Sequence, residues 1–404
     1  MTSRITANDL ELIHADLMTA NATIGIADGE GTKKNPFLIN MIAYHAEQAI
    51  EKTMKAIIRS ADPKKARTAL ENAVKDSIDD KEIAKEYKIT DEKVDAIMSS
   101  HDTSLLFYAI CELRPDFGKQ HPVIAMNKRR LPHINELRHG ECSVSYTNAV
   151  HTLYLNARNF FKEIENEYIK ETGADRKDIR SAAVVGYSEL PYQTFYDTPL
   201  EPTESISEED APEKIPVTAG DLLLVKADLM VAQAILGSTE GVRGNLYMAN
   251  MAAAHAEHAI EVVMKAMLKE QGGFEHLLRG HSTVALFNAV ASIRQNFAEE
   301  HEFLDANKRR LPHINRAVRY GEKGITYHDA RGLLYVASKL CNEAEAELVE
   351  KTGISKKALN EAGRTYYASL ESQRVNKPVS AWAKKEPDKE HEIKPTVPTS
   401  PEDR

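Results

Sequence analysis

Apolar positions recur at three- and four-residue intervals along most of the chain. Leu10, Ile13, Leu17 and Ile24 keep helical spacing, as do Ile39, Ile42, Ala46, Ala49, Thr53 and Ile57. Tyr146, Val150, Leu153, Ala157, Phe160 and Ile164 do so again. Such spacing places side chains on one face of an α-helix, whereas strands alternate with period two. Little of the chain alternates, and β-branched clusters bounded by turns are missing. The expectation is an all-α fold of antiparallel helices joined by short loops.

Internal repetition says how those helices are grouped. ADLMTANATIG (15–25) returns as ADLMVAQAILG (227–237), and NMIAYHAEQAIEKTMKAII (40–58) as NMAAAHAEHAIEVVMKAML (250–268). HDTSLLFYAI (101–110) returns as HSTVALFNAV (281–290), and KETG (170–173) as EKTG (350–353). NKRRLPHIN occurs identically at 127–135 and 307–315. His45 and His101 lie 56 positions apart but His255 and His281 only 26, so the first copy carries 30 additional residues near 60–100. A one-residue insertion after the identical block makes Arg138 correspond to Arg319. Two tandem helical bundles of the same fold are therefore expected, at 8–190 and 219–371. The acidic, proline-rich stretch 191–218 reads as a solvated linker, and the polar stretch 372–404 as a disordered tail.

Composition narrows the function classes. With 404 residues there is room for two or three domains with cores of their own. A net charge of −9 speaks against a general nucleic-acid coat but permits a local basic patch. Cys111, Cys142 and Cys341 are odd in number and lack CxxC spacing, which excludes a disulfide framework or zinc cage and suggests reduced thiols. No apolar leader and no membrane-spanning run is present, so no membrane partner and a cytoplasmic location are expected. The absence of a Gly-rich phosphate loop, a Ser/His/Asp order or a paired-carboxylate motif argues against a kinase, a triad hydrolase or a glycosidase. Nothing calls for a metal or cofactor.

Three features could carry chemistry. In NKRRLPHIN, Pro132 and Pro312 read as helix starts, with Lys128, Arg129 and Arg130 (Lys308, Arg309 and Arg310) just before the helix and His133 (His313) in its first turn. Cations there oppose the helix macrodipole but suit an anion, so a phosphate site is one reading and ion pairing with a neighbouring helix the other. The second feature is the stripe His45, Glu47, Glu51, Lys55, repeated as His255, Glu257, Glu261, Lys265. Its expected role is a solvated face with a favourable Glu51–Lys55 pair, His45 and Glu47 pointing to different sides. Third, His101 and His281 each open an apolar helix with Asp102 or Ser282 as N-cap, a structural role.

The segments ADLMTANATIG, HAEQAIEKTMKAII, HDTSLLFYAI and NAVHTLYLNARNFFKEI together resemble the HEPN domain (higher eukaryotes and prokaryotes nucleotide-binding). The resemblance covers both copies and implies helical bundles that often dimerise. Many HEPN proteins are metal-independent ribonucleases whose site is an arginine, a polar residue, three further residues and a histidine, supplied by two facing domains. In KRRLPH, Lys128 and Lys308 stand at the arginine position, Arg129 and Arg309 at the polar one, and His133 and His313 at the histidine. Lysine lacks the guanidinium fork; alternatively Arg129 and Arg309 serve one residue closer. By resemblance the catalytic candidates are His133, His313, Arg129 and Arg309. The phosphate-binding candidates are Lys128, Arg130, Lys308, Arg310, Arg138 and Arg319. The implied protein is a tandem HEPN-like RNA-binding protein, an endoribonuclease of toxin or antiphage-defence type, in which the two blocks meet across an intramolecular pseudodimer. Other HEPN domains have lost the motif, so a helical scaffold or regulator binding a protein partner or a nucleotide is the alternative. Homo-oligomerisation stays open.

Overall fold

Thr6 starts the first helix with a capping box: its hydroxyl accepts from Asp9 N, and the Asp9 carboxylate accepts from Thr6 N. In the computed structural model, residues 5–28, 35–78, 84, 86–140, 142–191, 218–237, 245–271, 274–278, 280–314 and 318–375 are described. The first half holds α1 (Ala7–Ile26), α2 (Phe37–Ser60), α3 (Pro63–Ser77), α4 (Asp91–Ser99), α5 (Thr103–Leu113), α6 (Leu155–Thr172) and α7 (Arg176–Glu189). The second half holds α8 (Ala219–Gly237), α9 (Tyr247–Gln271), α10 (Thr283–Ile293), α11 (Tyr327–Thr352) and α12 (Lys356–Val375). The fold is all-α. Nearly all of the expected linker 191–218 and residues 376–404 of the expected tail lie outside the described residues, while α12 continues past position 372.

The expected stripes form the core. Leu10, Ile13 and Leu17 of α1, Ile42, Ala46, Ala49 and Ile57 of α2, and Ala157, Phe160 and Ile164 of α6 are buried. Asp102 and Ser282 cap α5 and α10, accepting from Leu105 N and Ala285 N. The additional residues near 60–100 pack down onto the bundle: Leu70, Ala73 and Val74 of α3 are buried, and α3 lies along α5. Arg114 grips Glu167 through two nitrogens, and Arg294 grips Glu347 in the same way, tying the end of α5 to α6 and the end of α10 to α11.

The halves meet through α1, α2, α8 and α9, and their contacts come in pairs that exchange one half for the other. Asn35 Nδ2 donates to Leu223 O, and Asn245 Nδ2 to Glu11 O, both at 2.7 Å. Tyr187 of α7 donates to Asn250 Oδ1 (2.6 Å), and Tyr367 of α12 to Asn40 Oδ1 (3.0 Å). Asn40 Nδ2 also holds the carbonyls of Leu137 and Cys142, as Asn250 Nδ2 holds those of Val318 and Lys323. These bonds fix, in each half, the turn that carries Arg138 or Arg319 towards the other half.

A buried polar seam between the halves

α2 and α9 run through the middle of the molecule with the seam on one side and α5 or α10 on the other. That enclosure overturns the expectation of a solvated stripe. Glu47 and Glu51 are 1% and 0% exposed, Glu257 and Glu261 1% each, and Lys55 is buried as well. A charged helix face survives burial only when its charges are paired or protonated away, and Glu51 and Glu261 are paired. Lys55 Nζ donates to Glu51 (2.6 Å) and to the carbonyl of Ser100 (2.7 Å), and Lys265 pairs with Glu261 (2.7 Å).

His45 and His255 meet at the centre of the seam, Nε2 to Nε2, at 2.7 Å. Their Nδ1 atoms face Asp16 (2.8 Å) and Asp228 (2.7 Å). Burial pushes His45 down to about 4 despite its bond to Asp16, so His45 is neutral, with its Nδ1–H donated to Asp16 and its Nε2 left as an acceptor. Burial alone would raise Asp16, but Lys52 and His45 hold it down to about 2. Lys52 Nζ reaches Asp16 at 2.6 Å and the carbonyl of Arg319 at 3.1 Å. In the second half valine stands at the Lys52 position, and His258 supplies the other bond to Asp228.

Two partly open sites flank this centre. In the first, His101 Nδ1 bonds to Glu51 Oε2 (2.9 Å), and the histidine side chain is 36% exposed. Tyr320 comes from the other half, its hydroxyl oxygen 3.1 Å from His101 Nε2. In the second, His281 Nδ1 bonds to Glu261 Oε1 (2.9 Å), and its side chain is 56% exposed. His139 from the first half stands there, its ring 5.3 Å from that of His281 and its Nδ1 3.4 Å from His258 Nε2. Burial and the neighbouring His258 and Arg138 push His139 down to about 2, so it stays neutral. Gly140 and Gly321 make these crossings possible. Each has positive φ, and a Cβ would come within 3.3 Å of Leu224 or 3.2 Å of Leu12 in the opposite half.

Glu47 accepts from Thr103 (2.9 Å) and Gln48 (2.8 Å), and Glu257 accepts from Thr283 (2.9 Å). Burial, then the adjacent Glu51 carboxylate, pushes Glu47 up to about 8, and burial with Glu261 does the same to Glu257. Burial works in the same direction on Glu51, but His101 and Lys55 outweigh it and keep Glu51 ionised. A carboxyl raised in the folded state is no penalty below its unfolded value near 4.5, and its contribution is lost as pH climbs towards 8. The depressed histidines His45 and His139 oppose this loss up to their unfolded value of 6.5, so stability is expected to fall between about pH 6.5 and 8.5. Glu47→Gln with Glu257→Gln, which cannot ionise, should gain roughly 5 °C or more in Tm over wild type at pH 8.5. Parallel Tm–pH curves by circular dichroism would sink that account.

The sequence-predicted residues fall into two groups. Arg138 and Arg319 are buried, 4% and 5% exposed, and both guanidinium groups lie against the ring of Tyr44, at 5.5 and 4.6 Å. Alanine stands at the position equivalent to Tyr44, and Ala254 O accepts from Arg138 Nη2 (3.4 Å), so one ring fills the space between the two arginines. The identical blocks lie in short turns. Leu131–Ile134 is a 3₁₀ turn that runs on into one α-helical turn, Asn135–Arg138, and Leu311–His313 is a single helical turn. Helices do start at Pro132 and Pro312, but among the described residues both are too short to bring much of a macrodipole to an anion. Lys128 lies over Phe107 and Tyr108 and donates to Ala125 O, while Lys308 lies over Phe287 and pairs with Asp305. Arg129, Arg130 and His313 are exposed, and His133, Arg309 and Arg310 half-buried.

Sequence reasoning gave His101 and His281 a capping-region role and passed over Asp16, Asp228, His139 and Tyr320. A signal was present: Arg-x-Gly-Glu recurs at 138–141 and 319–322, and the aspartate of ADLM recurs at 16 and 228. Among the described residues, Arg319 Nη2, Glu257 Oε2 and Glu261 Oε2 are buried without a hydrogen-bond partner. Such atoms cost about 1–3 kcal/mol each and are uncommon in native interiors.

Neither a curated protein nor a solved structure matches the chain. A family model does: the HEPN domain, over residues 245–347. That span runs from the start of α9 into α11 and contains His255, Glu257, Glu261, His281, Arg319 and Tyr320, the second half's share of the seam. On this match, and with the all-helical architecture around it, the chain carries a HEPN domain at residues 245–347.

Proposed function

We propose that the chain is a tandem-HEPN protein that binds and cuts RNA, with the chemistry at the two flanks of the seam. What supports this reading is the pair of carboxylate-bound histidines at the seam, His101 on Glu51 and His281 on Glu261, each open to solvent and faced by a ring from the other half. A carboxylate on Nδ1 fixes the tautomer and orientation of an imidazole and leaves Nε2 for proton transfer. His101 or His281 takes the 2′-hydroxyl proton as that oxygen bonds to phosphorus and the P–O5′ bond breaks. The imidazolium, or solvent, then returns a proton to the leaving 5′-oxygen. Lys55 and Lys265 beside the dyads favour the charge that builds on the phosphoryl oxygens. Exposed Arg129 and Arg130, with half-buried Arg309 and Arg310, hold the RNA backbone, and His133 and His313 are the rival proton carriers.

Purified protein is expected to cut single-stranded RNA in EDTA and leave a 2′,3′-cyclic phosphate or its opened product. Arg129→Ala with Arg309→Ala should weaken RNA binding and steepen no other defect, because phosphate contacts set affinity and its salt dependence. Loss of cutting in His133→Ala/His313→Ala, with the seam variant active, would move the chemistry to the blocks. RNA that fails to bind at moderate salt would end the RNA reading and leave the protein a scaffold built around a polar interface.

A further inference from the structure

Away from the seam sites, α1, the start of α6 and Met248 of the second half enclose a cavity of about 550 Å³. Its floor is apolar: Leu17, Met18, Phe161 and Met248, with the ring of Tyr154 alongside. Its rim carries Arg158, Lys162 and Arg176, with His14 and Asn21 within, and no carboxylate lines it. In a chain of net charge −9 that is an uncommon local balance. Arg158 and Lys162 sit four residues apart on one face of α6, a like-charge pair that is mildly unfavourable by itself. Among the described residues neither has an ion-pair partner, whereas Arg176 is clamped in place by Glu165 at 2.9 and 3.1 Å.

The other half does not repeat this arrangement. In the register set by KETG and EKTG, Arg158, Phe161 and Lys162 become Ser338, Cys341 and Asn342, and in the register set by ADLM His14 becomes Lys226. Lys226 is tied to Glu345 and to Asn360 (3.1 Å). The cationic cavity is thus a property of one half and not a by-product of the shared fold.

We propose that this cavity binds a small organic anion with a single phosphate or carboxylate on an apolar body. The volume and the apolar floor with a few convergent polar groups are those of a ligand site. Guanidinium and ammonium groups at the rim suit the anionic head. Sulfur atoms of Met18 and Met248 and the Phe161 ring suit a flat or hydrocarbon body. Because Met248 belongs to the second half, an occupant bridges the two halves.

Phenyl phosphate is the probe, titrated calorimetrically into the full chain. Saturable one-to-one binding and a rise in Tm are expected, since ligand bound only to the folded state raises Tm. Inorganic phosphate should bind at least tenfold more weakly. Arg158→Glu with Lys162→Glu should weaken phenyl phosphate at least tenfold, and Arg158→Ala with Lys162→Ala, both exposed and safe for folding, by a smaller factor in the same direction. Three results would overturn the proposal: no saturable binding, binding indifferent to these substitutions, or inorganic phosphate binding equally well. RNA cutting, present or absent, bears on none of them.

Discussion

Alanine at both His101 and His281 is expected to lower RNA cleavage by about 10²–10⁴-fold, the usual worth of a positioned proton-transfer group. Far-UV circular dichroism should be unchanged, because both side chains reach solvent and Lys55 and Lys265 stay on the carboxylates they leave. Glu51→Gln and Glu261→Gln separate positioning from packing. An amide still fills the space but no longer orients the imidazole, so cleavage should fall and its pH profile should shift. The single variants carry further information, since the sites differ: Tyr320 faces His101, whereas neutral His139 faces His281. Full activity in the double histidine variant would remove the seam from the mechanism.

The second large effect concerns stability. Asp16→Ala takes the carboxylate from Lys52, which is 4% exposed, and from His45 at the centre of the seam. Removing one partner of a buried ion pair costs about 3–5 kcal/mol, because the remaining charge is stranded away from water. A loss of roughly 5 °C in Tm follows for a protein of this size. Asp228→Ala should cost clearly less. Its partners are His255 and His258, and burial with the nearby Arg138 favours the uncharged form of His258, so no ammonium is stranded. Equal losses in the two variants, or a loss under about 2 °C for Asp16→Ala, would mean that Lys52 finds another partner and that the central chain of bonds is not what holds the halves.

Much of the architecture was legible in the residues. Helical spacing placed Leu10, Ile13, Leu17, Phe160 and Ile164 in the core, Asp102 and Ser282 cap where they were expected to, and Glu51–Lys55 and Glu261–Lys265 pair along their helices. These are local properties: a period, a cap and an i,i+4 pair are complete within one helix. The same kind of reasoning failed where it needed a neighbour. Charge on α2 and α9 suggested water, yet the other helices enclose those faces, and the glutamates lie among histidines, lysines and arginines drawn from separate parts of the chain.

The identical NKRRLPHIN blocks drew attention because identity is visible in a string. The residues that converge at the seam are scattered over more than 300 positions, from Asp16 to Tyr320, and for Asp16, Asp228, His139 and Tyr320 only Arg-x-Gly-Glu and the ADLM aspartate gave a hint. The sequence by itself determined that the chain is helical, which faces are apolar and that its segments come twice. The tertiary structure decided that two copies enclose a common polar seam, with a histidine from each half in contact and each open site completed by the opposite half. The reason is physical: a side chain's burial, protonation and partners depend on which elements pack around it, and no periodicity within one helix encodes a neighbour two hundred residues away.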